Sequence, residues 1–272
     1  MSETLTASAV TAAPAAPPRH GGLLDVATVI DRPAGTWELG VQWDSEVCGE
    51  VGSYDADCLD LPAGETKDVV GANPQEANAF VIHAAVACGL LVGSDRYAAH
   101  ARSLLSAHES EEVEHRLSMR WVTGDPLNPT LDSPGMPVVE AFASLERQAA
   151  EYGAAPIIHL TPEWATRAAA AGLLTYDAIP GRLTTYLGTR VAVGHGYEKA
   201  AKHAVTDGTT TTTPAAGEGW LFVTGWVTLE RAPVSEAVAD DLAKNTRYAL
   251  AERVYVPLVD CFVGGALAKV AP

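Results

Sequence analysis

Apolar positions recur at three- and four-residue spacing in several stretches of the chain. Ala79, Ile82, Val86 and Leu90 do so between Pro74 and Gly93, and this spacing predicts a helix over 74–91. Ser94 or Asp95 is placed to cap the next helix, which runs to about Arg120 with Ala98, Ala101, Leu104, Leu105, Val113, Leu117 and Met119 as its apolar residues. Its middle turns, SAHESEE, are nearly all polar. A helix of about 25 residues spans ~37 Å at 1.5 Å per residue. Apolar ends around a wet middle suit a helix that lies along a surface. A third helix is predicted over 137–152, with Val138, Ala141, Leu145 and Ala149 on one face and Gly153 at its end. A fourth, 162–171, is capped by Thr161, has Pro162 in its first turn and is closed by Gly172.

Elsewhere the pattern changes period. WELGVQW, 37–43, alternates as a strand does, and Gly49, Gly52, Asp55, Asp57 and Asp60 then mark turns. Little regular pattern runs through 21–72, which is unusual inside a compact domain and suits a segment that reaches toward something else. Residues 123–136 read as a Pro- and Asp-rich loop, and PIIHL, 156–160, as a short buried strand. Residues 183–187 and 190–193 flank Gly188 as paired strands, 194–197 form a tight turn, and 206–219 form a low-complexity loop. WLFVTGWVTL, 220–229, reads as one strong strand with Gly225 as a bulge candidate. A short helix is predicted over 235–248, then a strand over 253–264 in which Pro257 marks an edge or an interruption. The order is α+β rather than a βαβα series.

Composition narrows the class. The 272 residues make one large domain or two small ones. Hydrophobic residues at 47% and charged residues at 19% exclude a largely disordered chain, a collagen and a coiled-coil rod. With 34 acidic against 18 basic residues the net charge is −16, which excludes a general affinity for phosphate backbones. The charge reads either as solubility or as a surface that must not adhere to DNA. No apolar run reaches the ~18 residues of a membrane span, so no membrane partner is expected. Cys48, Cys58, Cys88 and Cys261 form no CxxC pair, which argues against a disulfide framework or a zinc cage. Cys48 and Cys58 share a Gly/Asp-rich stretch where they can meet, while Cys88 and Cys261 read as small core residues. Residues 1–20 are Ala/Thr/Pro-rich, lack a signal-peptide pattern, and read as an arm that orders on a partner or as a plain tail.

Each stretch that looks chemical also has a bland alternative. HESEEVEH, 108–115, sets His108, Glu111, Glu112 and His115 at helical spacing, as a metal site would, but it is not HExxH and has no second Glu-x-x-His. A solvated helix face with i,i+4 pairs explains it. Gly194-His195-Gly196 lacks the third glycine of a dinucleotide loop, and no P-loop or GxSxG elbow exists. Ser94 follows a glycine but has no strand before it. His159 on PIIHL reads as a satisfied core histidine, and His195 as an exposed turn residue with no Ser or Cys to pair with. Trp220 and Trp226, six apart, read as core or subunit packing. No catalytic, cofactor-binding or metal-ligating residue is assigned.

The order of these features resembles the tailed-phage major capsid proteins of the Hong Kong 97 type, whose fold encapsulins share. PVVEAFASLERQAAEYGAAPIIHLTPEWATRAAAAGLL is similar to the helix, strand and "Pro-x-x-Trp" helix of the family's axial domain, and LTTYLGTRVAVG to its hairpin. ALAERVYVPLVDCFVGGALAKV is similar to the terminal strands that return to the peripheral domain. The GY turn, the W-x-x-x-TG strand and the AERxYVxxxDC ending look like capsid proteins of phages that infect actinobacteria. The resemblance implies an α+β, Hong Kong 97-like capsid fold. It would have an N-terminal arm (1–22), an extended loop or arm segment (23–72), a peripheral domain with sheet and long spine helix (73–136), an axial domain (137–232) and a C-terminal return (233–272). It implies a non-enzymatic subunit of an icosahedral bacteriophage head that self-assembles as hexamers and pentamers around packaged double-stranded DNA, without sequence-specific binding and without a cofactor. A separate scaffold, portal or decoration proteins are candidate partners, and the location implied is the virion, assembled in the host cytoplasm. Lys67 lies near the extended loop, but no Asn matches a cross-linking partner. An encapsulin compartment with an enzyme cargo, another head or connector protein, and an enzyme built on the His108–His115 helix are the competing readings.

Overall fold

The strands at Ile157–Leu160, Glu218–Thr224 and Val263–Lys269 carry apolar side chains on both faces, and the sheet they build is covered on both sides. That sheet has seven strands in the order Thr130–Pro137, Val263–Lys269, Glu218–Thr224, Ile157–Leu160, Arg190–Val193, Leu183–Thr185, Leu174–Tyr176. Alternation sorts its residues into two cores. Ile157, Ala192, Trp220, Phe222, Val263 and Leu267 face the long helix Ser94–Thr123 and a second sheet. Ile158, Leu160, Val191, Val193, Leu221, Val223, Ala266 and Ala268 face the helices Val138–Tyr152 and Pro162–Ala170, which contribute Phe142, Leu145 and Trp164.

This computed structural model describes residues 20–44, 74–89, 94–124, 129–152, 155–177, 182–206, 210–260 and 262–270. Residues 1–19, Cys48, Cys58, Lys67, Cys261 and the side chain of Cys88 lie outside what is described, and with them most of the predicted arm and extended loop.

The second sheet has five strands. Thr28–Asp31 runs parallel to Val227–Arg231, which pairs with the long strand Thr246–Val259; Ser235–Asp241 and Phe80–Gly89 both pair antiparallel with that strand. The predicted helix over 74–91 is instead two strands, Pro74–Ala77 and Phe80–Gly89. Ile82 and Ala84 are also spaced by two, and they face the long helix while Val81, His83 and Ala85 face away. A ladder from Phe80↔Tyr255 to Gly89↔Thr246 overrides the weak helical period of an Ala-rich segment. The predicted helix over 235–248 is likewise a hairpin. Its turn is set by Asp241, whose carboxylate accepts from the backbone N–H groups of Ala243 and Lys244 at 3.1 and 3.2 Å, and by Asn245 at φ 51°.

The run 220–229 is not one bulged strand. It crosses between the sheets at Gly225, with Glu218–Thr224 in the first and Val227–Arg231 in the second. A Cβ at Gly225 would run into the Asp260 carbonyl oxygen and lie within 2.7 Å of the Tyr152 ring, so the crossing requires glycine. Trp220 therefore sits in the core, whereas Trp226 is half-buried in the other sheet, donating to Thr28 Oγ1 at 3.0 Å. Pro257 lies two residues past the last pair with Phe80–Gly89, where the strand has lost that neighbour, as an edge proline requires. WELGVQW splits into a 3-10 turn, Thr36–Leu39, and a strand, Val41–Asp44, and the predicted loop over 123–136 contributes the strand Thr130–Pro137.

The remaining helices lie where their periodicity puts them. Thr161 Oγ1 accepts the Trp164 N–H at 3.4 Å, Pro162 opens the helix, and Gly172 at φ +71° follows its end. The result is a mixed fold of two large sheets, with two-stranded ladders at Val41–Asp44/Pro74–Ala77 and Val205–Thr206/Thr211–Thr212, joined through one long helix.

Candidate functional site

The long helix buries a ladder at four-residue steps: Ala101, Leu105, Glu109, Val113, Leu117 and Trp121. Its polar middle is thus not a wet face throughout. Glu109 accepts from Arg253 Nη1 and from the Tyr255 hydroxyl, both at 2.7 Å, and ties the helix to the second sheet. Burial first, then the Glu109 charge, pushes the Tyr255 hydroxyl well above its ordinary value. One turn on, Glu114 is 2% exposed. Its Oε1 accepts the Leu23 N–H at 3.0 Å and the Ser110 hydroxyl at 3.1 Å, and its Oε2 accepts the Gly196 N–H at 3.3 Å. A Cβ at Gly22 would fall 2.6 Å from Oε1, and one at Gly194 would be closer still. The glycines of Gly194-His195-Gly196 therefore make room for a carboxylate of the same chain. Neither glutamate stands out in the sequence, although the i+4 ladder through Glu109 is legible there.

His159 sits in the same junction, 1% exposed, its ring 4.6 Å from that of Trp121. Its Nδ1 is 3.0 Å from the Tyr197 hydroxyl and its Nε2 2.9 Å from Thr224 Oγ1. The Thr224 hydroxyl donates to the Gly225 carbonyl, so Nε2 carries the ring proton and donates to Thr224, and Nδ1 accepts from Tyr197. Burial drives the His159 pKa down to about 3, which keeps the ring neutral at all ordinary pH. Both nitrogens are used inside the core, and His159 is the satisfied core histidine the sequence suggests.

The other candidates do not converge. His108 and Glu111 pair at 3.4 Å and Arg116 with Glu112 at 3.2 Å, all on the exposed side of the helix. His195 is exposed, 4.0 Å from both Glu111 and Glu198. Ser94 begins the long helix, and a strand, Phe80–Gly89, does precede it, contrary to the sequence expectation. Among the described residues no group of three or more His, Cys, Asp or Glu is placed to hold a metal ion, and no helix is long and apolar enough to cross a membrane. A cleft of about 350 Å³ lies beside the long helix, with Gly22, Asp25, Glu111 and His195 in its wall.

What the molecule presents is surface. At the outer edge of the seven-stranded sheet Tyr176, Tyr186 and Leu187 are 76%, 75% and 79% exposed. Tyr176 lies on the edge strand opposite Leu183, and the other two lie in the turn that follows Thr185, beyond the Leu174 end of that strand. Leu39 and Leu242 project from a 3-10 turn and from the hairpin tip. Large side chains left in water at an open sheet edge invite a partner.

No family model and no curated protein matches the sequence. Solved structures do match the fold. The capsid of Ralstonia phage GP4 superposes with a TM-score of 0.54 at 10% identity, over 100% of this chain and 99% of that one. The capsid of an empty GTA particle gives 0.52 at 11% identity, over 99% and 96%. The capsid structure of cyanophage P-SCSP1u gives 0.51 at 12% identity, over 99% and 93%. The fold of this chain is the Hong Kong 97-type capsid fold.

Proposed function

We propose that this chain is the major capsid protein of a tailed bacteriophage, a structural subunit that closes into an icosahedral shell around packaged double-stranded DNA. The observation that carries the reading is the likeness in fold over nearly the whole of both chains, at 93–99% coverage of capsid subunits. Those chains are named as capsids. The exposed apolar edge at Tyr176, Tyr186 and Leu187 supports the reading, because repeated heterologous contacts through such patches build rings and closed shells. The net charge of −16 supports a lumen along which DNA slides.

In this reading residues 1–22 are the arm, 23–72 the extended loop, 73–136 the peripheral domain with its spine helix, 137–232 the axial domain and 233–272 the return, with Thr130–Pro137 and Val263–Lys269 lending strands to the seven-stranded sheet and Thr28–Asp31 and Val227–Arg231 to the five-stranded one. The subunit acts without catalytic residues or a cofactor. It forms hexamers and pentamers, takes a separate scaffold, portal or decoration proteins as partners, and is assembled in the host cytoplasm before residing in the virion.

Negative-stain electron microscopy of the chain expressed alone, with size-exclusion chromatography alongside, tests this. Closed shells or capsomer-sized rings are expected. A monomer of about 28 kDa at every concentration would overturn self-assembly. Shells that co-purify with an enzyme instead of DNA would turn the reading to a protein compartment.

A further inference from the structure

The glycine-lined seat of Glu114 has no part in shell contacts as described above, yet it is built with care. Two separate segments bring backbone N–H groups to one buried carboxylate: Leu23 from the N-terminal segment and Gly196 from the turn after Arg190–Val193. Residues 21–26 form a strap across the long helix at this point. Leu23 and Val26 are fully buried under it, the Val193 N–H donates to the Gly21 carbonyl at 2.8 Å, and Arg190 Nη1 donates to the Val26 carbonyl at 3.3 Å. Asp25 accepts the Gly21 N–H at 2.6 Å, a contact that stays within the strap.

We propose that Glu114 is a proton-sensitive catch for this strap: ionised, it holds residues 21–26 against the long helix and the GHGY turn, and protonated, it lets them go. A carboxylate offers lone pairs to all its donors at once, whereas a carboxylic acid turns one oxygen into a donor. The Ser110 hydroxyl on Oε1 can turn to accept the acid's proton, which leaves that oxygen a poorer acceptor for the fixed Leu23 N–H, so the hold on the strap weakens, and the strap belongs to no sheet until Thr28. The turn is the less mobile partner, because Tyr197 is buried and paired with His159. The charged and titratable groups around Glu114 are Glu109 and Glu111 on its own helix, Asp25 on the strap with His20 just before it, His195 and Tyr197 on the turn, and Arg190 and Arg231 from the two sheets. Asp25 is the one rival trigger inside the strap, with His20 3.8 Å away. The catch fixes where the chain preceding His20 joins the body, and acid would free that junction.

Hydrogen–deuterium exchange of the full chain, corrected for the intrinsic pH dependence of exchange, reads the strap directly. In the native chain, protection of peptide 21–31 falls on acidification while peptides 157–160 and 218–224 stay protected. Glu114→Gln, which mimics the protonated acid, opens the strap at neutral pH with a roughly ten- to hundredfold loss of protection, the range an unmet buried donor implies. Asp25→Asn keeps the acid response. Strap protection that is flat with pH until the central strands also exchange overturns the proposal. So does a Glu114→Gln chain with the native response, or an Asp25→Asn chain without one. Should Glu114→Gln lose protection everywhere, the acid response of the native chain and of Asp25→Asn decides.

Discussion

Lowering the pH from 7 to 5 should destabilise the folded chain through one buried ring. His159 is held neutral in the core, with a pKa pushed by burial from 6.5 to about 3. Below 6.5 the unfolded chain takes up a proton that the folded chain refuses, so stability falls as pH drops from 6.5 toward 3. At pH 5 the unfolded state lies 1.5 pH steps below its own midpoint while the folded state is still unprotonated; the His159 contribution is a loss of about 2 kcal/mol relative to pH 7. Urea unfolding at the two pH values, followed by tryptophan fluorescence, measures it, and the Trp121 ring lies close enough to the His159 ring, 4.6 Å, to report on the site. The control is His159→Gln, which keeps an N–H donor and an acceptor but does not titrate. That variant costs about 1–3 kcal/mol at pH 7 through imperfect pairing, so the informative quantity is the change with pH and not the level. The native chain should lose about 2 kcal/mol more than His159→Gln between pH 7 and 5. Equal losses would refute the assignment of a neutral, fully paired His159.

Three further outcomes follow from packing and exposure. Gly225→Ala forces a Cβ into the Asp260 carbonyl and the Tyr152 ring, and should destabilise by roughly 1–3 kcal/mol in urea unfolding. Gly188→Ala meets nothing within 4 Å and should cost only the ~1–2 kcal/mol of its left-handed backbone, φ +91°. Leu187→Asp, at 79% exposure, should change the unfolding midpoint of the free chain by less than about 0.5 kcal/mol yet abolish shells in electron micrographs, because assembly would bury an unpaired charge.

The sequence made some parts of this molecule plain and hid others for identifiable reasons. The helices beginning at Ser94, Val138 and Pro162 were legible because period and capping agree, with Thr161 and Pro162 naming the start of the last. The segments 74–91 and 235–248 look helical in sequence because Ala-rich and mixed polar stretches fit both periods, and the deciding fact is a distant partner, the strand Thr246–Val259. The change of sheet at Gly225 was hidden inside an unbroken apolar run, since only the approach of Asp260 and Tyr152 distinguishes a crossing from a bulge. His159 was legible as a core residue. Glu109 and Glu114 were not, because four acidic residues in HESEEVEH look alike until tertiary contact selects the two that face inward.

Cryo-electron microscopy of the particles formed by the full chain tests the central claim most directly. The account predicts a closed icosahedral shell whose pentamers and hexamers are built from this subunit, with Tyr176, Tyr186 and Leu187 buried against other copies. Isolated monomers at every concentration, or an assembly that leaves that sheet edge in solvent, would contradict it.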